Sequence, residues 1–160
     1  MAVVGVFDSG VGGLSVVRRI FQKVPEVKII YYGDTARVPY GGKNREELVY
    51  LADVVTGFLL QEGADLIVDA CNSTSAVAIE YLQQKYGVPI LGVIEPGVRA
   101  ALLATLNNRI GLIATEATVK SGIHAKMLGA ANPNVKLFDR ACPGFVPLIE
   151  SGDVTSSQIG

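Results

Sequence analysis

The 160-residue chain has only two cysteines, Cys71 and Cys142, and a single histidine, His124. The cysteines form neither a CxxC pair nor a spacing with His124 of the kind zinc needs, so no metal is expected. In a reducing compartment each is a free thiol. Charge of one sign is also lacking: 14 Lys and Arg stand against 15 Asp and Glu, interspersed, for a net charge of −1. Without a basic run there is no footprint for a phosphate backbone, which excludes nucleic acid as a partner. The apolar runs, such as residues 3–7 and 66–68, fall far short of the roughly 20 residues that span a bilayer, so no membrane association is expected. The opening Val3-Val4-Gly5-Val6-Phe7 comes too early for a charged start, apolar stretch and cleavage site, which points to a cytoplasmic protein. Neither a Gly-x-Ser-x-Gly elbow nor a Gly-x-x-x-x-Gly-Lys loop occurs, excluding a serine hydrolase and a P-loop reading.

What is present is a core-forming composition, 49% hydrophobic and 18% charged, in a length that by itself fits one domain. Short β-branched runs at 3–7, 27–32, 66–70, 90–93, 110–114 and 135–138 read as strands. Between them, segments of helical period run over 13–22, 45–61, 73–85, 96–106 and 118–128. The alternation predicts a mostly parallel α/β sheet. Pro and Gly punctuate one strand-to-helix passage, Gly92-Val93-Ile94-Glu95-Pro96-Gly97, which is the candidate domain seam. The closing Thr155-Ser156-Ser157-Gln158-Ile159-Gly160 supplies no natural stop, and a partial chain is expected.

In parallel sheets ligands bind beyond the carboxyl ends of the strands. Here those segments are rich in small polar residues: Asp8-Ser9-Gly10, Gly33-Asp34-Thr35, Cys71-Asn72-Ser73-Thr74 and Thr115-Glu116-Ala117-Thr118. Gly10-Val11-Gly12-Gly13-Leu14-Ser15 resembles a dinucleotide turn, with Asp34 available for a ribose, but Ser15 replaces the third glycine. Asp8 would also set a carboxylate against the pyrophosphate. A tight turn capped by Asp8 or Ser9 accounts for the same residues.

Cys71 ends an apolar strand ahead of Asn72-Ser73-Thr74-Ser75, side chains suited to capping a helix whose positive end favours thiolate. Burial as a small apolar residue explains it equally well. Cys142, in Ala141-Cys142-Pro143-Gly144, lies away from any clear strand-to-helix entry and reads as core packing. His124 reads as a surface or packing histidine, and Tyr40 either contacts a ligand or covers the mouth of the sheet.

Taken together, Phe7-Asp8-Ser9-Gly10-Val11-Gly12-Gly13-Leu14, Gly33-Asp34-Thr35-Ala36-Arg37-Val38-Pro39-Tyr40-Gly41, Ala70-Cys71-Asn72, Gly92-Val93-Ile94-Glu95-Pro96-Gly97 and Ile113-Ala114-Thr115-Glu116-Ala117-Thr118 resemble the glutamate racemase family, within the aspartate/glutamate racemase group. The resemblance implies a parallel-sheet α/β sandwich of two similar domains, the first over residues 1–96 and an incomplete second over 97–160. It implies racemisation of glutamate between the domains without metal, pyridoxal phosphate or nucleotide, with D-glutamate feeding peptidoglycan synthesis. A homodimer is implied for the full-length protein.

Carried over residue by residue, Cys71 resembles the thiol on one face of the substrate and Asp8 its acidic helper. Glu150 resembles the acidic residue near the opposite thiol. Ser9, Tyr40, Gly41, Asn72 and Ser73 resemble substrate contacts, as do Thr115 and Thr118 from the second domain. Three departures stand out. Ser73 replaces a usual Thr and keeps the hydroxyl. Asp69 stands where the family has an apolar residue: pointing inward it would disfavour thiolate, whereas strand alternation would aim it away. The family's second catalytic cysteine, in a Cys-Thr-His stretch, is absent from these 160 residues, and Cys142 matches a different position. Two other readings remain: a one-cysteine decarboxylase or isomerase of the same group, and an inactive amino-acid-binding or regulatory relative.

Overall fold

The structure, a computed structural model, describes residues 1–152. The stretch 155–160, read above as an unfinished ending, lies outside them. In chain order the elements are β1 (Val3–Asp8), α1 (Leu14–Lys23), β2 (Lys28–Gly33), α2 (Arg45–Gln61), β3 (Leu66–Asp69), α3 (Asn72–Ser75), α4 (Ile79–Lys85), β4 (Ile90–Gly92), α5 (Ile94–Ala104), β5 (Arg109–Ala114), α6 (Glu116–Ser121), α7 (Ile123–Ala131), β6 (Lys136–Ala141) and α8 (Phe145–Glu150). The first four strands form one parallel sheet in the order β2-β1-β3-β4, and β5 pairs with β6 in a second parallel sheet. All six expected strands are present, and the fold is the parallel α/β architecture that the alternation predicted. No helix among the described residues is long and apolar enough to cross a membrane.

Strand alternation divides β1 between two cores. Phe7 joins Ile67 of β3 under Ala52, Val55 and Leu59 of α2 and Leu82 of α4. Val4 and Val6 face the other way, with Val16, Val17 and Ile20 of α1 packed over them. Asp8 shares the parity of Val6, and Asp69 that of Ile67. The two carboxylates therefore leave the sheet on opposite faces, at the same end.

Three helices depart from their predicted spans. The segment 73–85 breaks into α3 and α4 because the Thr74 carbonyl accepts from both Val77 and Ala78, while the Thr74 and Ser75 hydroxyls bond to main-chain oxygens at Cys71 and Asp69. Such local side-chain bonds compete with helix propagation. The segment 118–128 starts early, at Glu116 behind the Thr115 N-cap, and is divided by Gly122, whose φ of 64° is left-handed and closes α6. Helix α5 begins at Ile94 rather than Pro96. Pro is tolerated there because the first-turn N–H groups have no helical acceptor. Cys142 is also corrected: it follows β6 directly at a strand-to-helix entry, half-buried, its amide bonded to the Ala114 carbonyl. His124 is half-buried with Nδ1 lacking a partner, and burial lowers its pKa.

The seat of α2 on β1 depends on Gly5. A Cβ there would lie 2.9 Å from Ile67 Cδ1, 3.0 Å from Ala64 Cβ and 3.2 Å from Leu59 Cβ. Overpacking of this kind costs about 1–3 kcal/mol. Gly5→Ala is expected to lower the midpoint of urea unfolding by a corresponding amount, and an unchanged midpoint would show that α2 can lift without cost.

Candidate active site

The carboxyl ends of β1, β2 and β3 come out level, since β1 pairs Asp8 with Gly33 on one side and Phe7 with Asp69 on the other. The loops that follow meet as neighbours. Asp8 is buried, and its Oδ2 accepts the amides of Gly13 at 2.9 Å and Gly10 at 3.3 Å. The glycine-rich turn thus closes around a carboxylate, which accounts for the Gly10-Val11-Gly12-Gly13 spacing without a nucleotide. Glu150 sits on the same turn, its Oε1 accepting the Val11 amide at 3.1 Å. A Cβ on Gly10 would fall 2.0 Å from that oxygen, so a side chain there would displace the Glu150 carboxylate from the turn.

Cys71 is 4% exposed and its thiol donates to Ser9 Oγ at 3.5 Å. Burial pushes the thiol pKa up, and the charges of Asp69 and Asp8 push it further. The Ser9 hydroxyl and the Thr74 amide pull it partly back. The expectation that a helix end would favour thiolate is therefore corrected: α3 is a single turn, and burial with two carboxylates outweighs it. The resting group is a thiol.

Asp69 lies beneath it. Its side chain is fully buried, and Oδ1 accepts the Cys71 amide at 3.0 Å and the Thr74 hydroxyl at 2.7 Å. Oδ2 has no partner. Burial drives this carboxyl up to about 8, against the opposing pull of the Thr74 and Cys71 donors.

A hydroxyl chain crosses from the first sheet's loops to α6. Ser73 Oγ and Thr115 Oγ1 are 2.9 Å apart, and Thr115 Oγ1 and Thr118 Oγ1 3.0 Å. Gly41 supports the same junction, its carbonyl accepting the Ala117 amide at 2.9 Å, and a Cβ there would meet Thr115 Cβ at 2.7 Å. Tyr40 is buried with Cys71, Leu48 and Leu51, and its hydroxyl donates to Asp34, which also pairs with Arg37 at 3.1 Å. Tyr40 thus packs beside the thiol with its hydroxyl committed to Asp34. Asn72 is exposed next to Cys71.

The structure therefore brings together Asp8, Ser9 and Cys71, with Glu150 against their turn, and links Ser73, Thr115 and Thr118 through Gly41's loop. Sequence reasoning missed Tyr31 and Thr74. The Tyr31 hydroxyl donates to the Gly10 carbonyl at 2.8 Å, and its pKa is pushed up to about 12 by burial and by Asp8, Glu150 and Cys71. It is one phenol near all three groups. Its only signal was its position two residues before the end of β2. A recess of about 950 Å³ between α4, β4, α5 and α7, lined by residues such as Glu80, Arg99 and Lys126, lies elsewhere and holds none of these acid/base groups. Among the described residues no set of three or more His, Cys, Asp or Glu could hold a metal ion.

A buried thiol thus lies beside carboxylates at the carboxyl ends of a parallel sheet, and comparison with known proteins gives the chain a family. The pattern of the Asp/Glu/Hydantoin racemase family matches residues 4–158, and the chain belongs to that family. It is 50% identical over 150 residues, 94% of its length, to a glutamate racemase from Desulforudis audaxviator, of which it covers 55%. Among solved structures it resembles glutamate racemase from Campylobacter jejuni, with a TM-score of 0.91 and 38% identity over 98% of this chain and 63% of that one. It equally resembles glutamate racemase from Francisella tularensis in complex with D-glutamate, with a TM-score of 0.89 and 38% identity over 99% of this chain and 59% of that one. The chain thus spans about half the length of the curated relatives it matches.

The Asp69 carboxyl has a stability consequence. Its pKa of about 8 in the fold exceeds the unfolded value of ~3.9, so the folded state holds the extra proton between those values. Its contribution to stability is present at low pH and is lost as pH rises through about 8. Asp69→Asn is expected to gain in Tm relative to the parent chain as pH is raised from about 5 to about 8. A difference that stays constant with pH would place the proton elsewhere.

Proposed function

We propose that this chain carries one half of a cofactor-independent glutamate racemase site, Cys71 serving one face of the substrate. The carrying observation is the buried Cys71 thiol, bonded to Ser9 and set between Asp8 and Asp69 at the strand ends. Racemisation removes the α-proton on one face and returns a proton on the other, so two acid/base groups must flank the α-carbon. In the direction that uses Cys71 as acid, a thiolate on the opposite face takes the α-proton. The electron pair left on carbon delocalises into the substrate carboxylate, and the Cys71 thiol then protonates carbon from its own side. The reverse direction exchanges the two roles. The opposite thiol belongs to the family's Cys-Thr-His stretch, beyond these 160 residues, with Glu150 near it.

On this reading Asp8, fixed by the Gly10 and Gly13 amides, is the acidic helper of Cys71. Ser9, Tyr40, Gly41, Asn72 and Ser73 contact glutamate from one side and Thr115 and Thr118 from the other. The division into domains 1–96 and 97–160, a cytoplasmic setting, supply of D-glutamate to peptidoglycan and a homodimer of the full-length protein belong to the same proposal. One observation favours a second reading: a thiol held protonated is also what a one-cysteine decarboxylase or isomerase needs as its proton donor.

Chiral chromatography of L-glutamate incubated in deuterium oxide separates the two. The 160-residue chain alone is expected to leave L-glutamate unchanged. A product extended through the Cys-Thr-His stretch is expected to form α-deuterated D-glutamate, with loss of about 10²–10⁴-fold in rate on Cys71→Ala. Racemisation by the short chain would overturn the two-thiol account, and release of carbon dioxide would favour the decarboxylase.

A further inference from the structure

Asp69 is a fully buried carboxyl, and the assigned acid/base roles leave it without a task. Its Oδ1 is tied to the Cys71 amide and the Thr74 hydroxyl, its main-chain oxygen accepts the Ser75 hydroxyl at 2.9 Å, and its Oδ2 meets no partner. A merely structural carboxylate in such a place would be expected to have both oxygens bonded. With Oδ2 unbonded and only the Cys71 amide and the Thr74 and Ser75 hydroxyls acting as donors, a buried charge on this carboxyl is poorly compensated, which favours its protonated form.

We propose that Asp69 is a positioning residue for Cys71: acting through the amide they share, it forms with the thiol one buried unit that accepts a single negative charge. This deepens the reading of Cys71 as an acid/base group and rests on it. Ionising either member disfavours ionising the other, so the pair titrates in two joint steps. Burial raises both groups, the charge of Asp8 raises both further, and that of Asp69 acts on Cys71, in the direction the proposal requires. The other groups facing the pair are Asp8 from β1, Tyr31 from β2 and Tyr40 from the loop after β2. Helices α2 and α6 offer apolar contacts, from Leu48, Leu51 and Ala117. Below the joint titration Asp69 carries its proton and the thiol keeps its own. The consequence is directional: Cys71 rests as the acid of the site.

Alkylation by iodoacetamide, with modification at Cys71 and Cys142 resolved by peptide mass, reads the thiolate fraction whether or not glutamate is turned over. Failure of the racemase reading and failure of this inference are therefore separately visible. Asp69→Asn keeps an acceptor for the Cys71 amide and removes the charge. It is expected to speed Cys71 alkylation roughly three- to tenfold at alkaline pH, above the Asp69 titration near 8, where a tenfold change corresponds to one pKa unit, to bring the parent and variant rates together near neutral pH, and to leave Cys142 unchanged. Equal rates at Cys71 in parent and variant at alkaline pH would overturn the proposal. Should the variant not fold, carbon-13 NMR of the Asp69 carboxyl in the parent chain decides. A titration near 8 followed at higher pH by a second, smaller displacement of the carboxyl signal that is lost in Cys71→Ser supports the coupling, and an ordinary carboxylate titration near ~4, or no second displacement, overturns it.

Discussion

Strand β1 is bonded in parallel to β2 and β3 at once, with Phe7 level with Tyr32 on one side and Asp69 on the other. That register decides everything above it. A slip of one residue would exchange the two faces of β1, sending Asp8 toward α2 and Phe7 into the site. With the register held, three strands end together and their loops are forced to share one rim. The Ser9–Cys71 contact joins positions 62 apart in the chain, and nothing local would bring them together. Gly5 and the α2 side chains that close over it fix the register from below, so the site inherits its precision from the core.

Backbone amides are the currency of this rim. Asp8 takes those of Gly10 and Gly13, Glu150 that of Val11, and Asp69 that of Cys71. Each carboxylate gains donors that a loop otherwise leaves unpaired, and each loop gains a fixed shape. The accumulated negative potential reaches Tyr31, raised by burial together with Asp8, Glu150 and Cys71. A thiol in that company is costly to ionise. The small polar residues of the rim thus do two things, shaping the loops and biasing the proton.

Much of this was legible in the sequence because period and punctuation are local. The six strands, the glycine turn after β1 and the polar segments at the strand ends all follow from alternation and composition, and the family motifs named the residues that meet there. The helix boundaries were less legible where side chains bond to the backbone. Thr74 and Ser75 have helix-compatible spacing, and only the buried Asp69 and Cys71 oxygens explain why their hydroxyls turn inward and break the segment. Gly122 needed a left-handed φ that composition alone does not announce. Tyr31 looked like any strand aromatic until a second strand's loop was placed against it. Asp69 was visible as an oddity, but alternation offered only inward or outward. The structure gives a third disposition, beneath the cysteine on the α2 face.

That disposition bears on where a thiolate's stabilisation would come from. Among the described residues the charges that act most on Cys71, those of Asp69 and Asp8, are negative, and the donors that help it, Ser9 and the Thr74 amide, are neutral. Arg37, the nearby cation of the β2–α2 loop, is half-exposed and committed to Asp34. On the proposed racemase reading, the substrate itself brings a positive charge to the thiol. An α-ammonium brought close to the thiol would favour the ionised form, as any opposite charge within ~4–6 Å does. A protonated thiol is protected from adventitious oxidation and alkylation, since both need the thiolate. Burial and the neighbouring carboxylates together hold the thiol in its less reactive form.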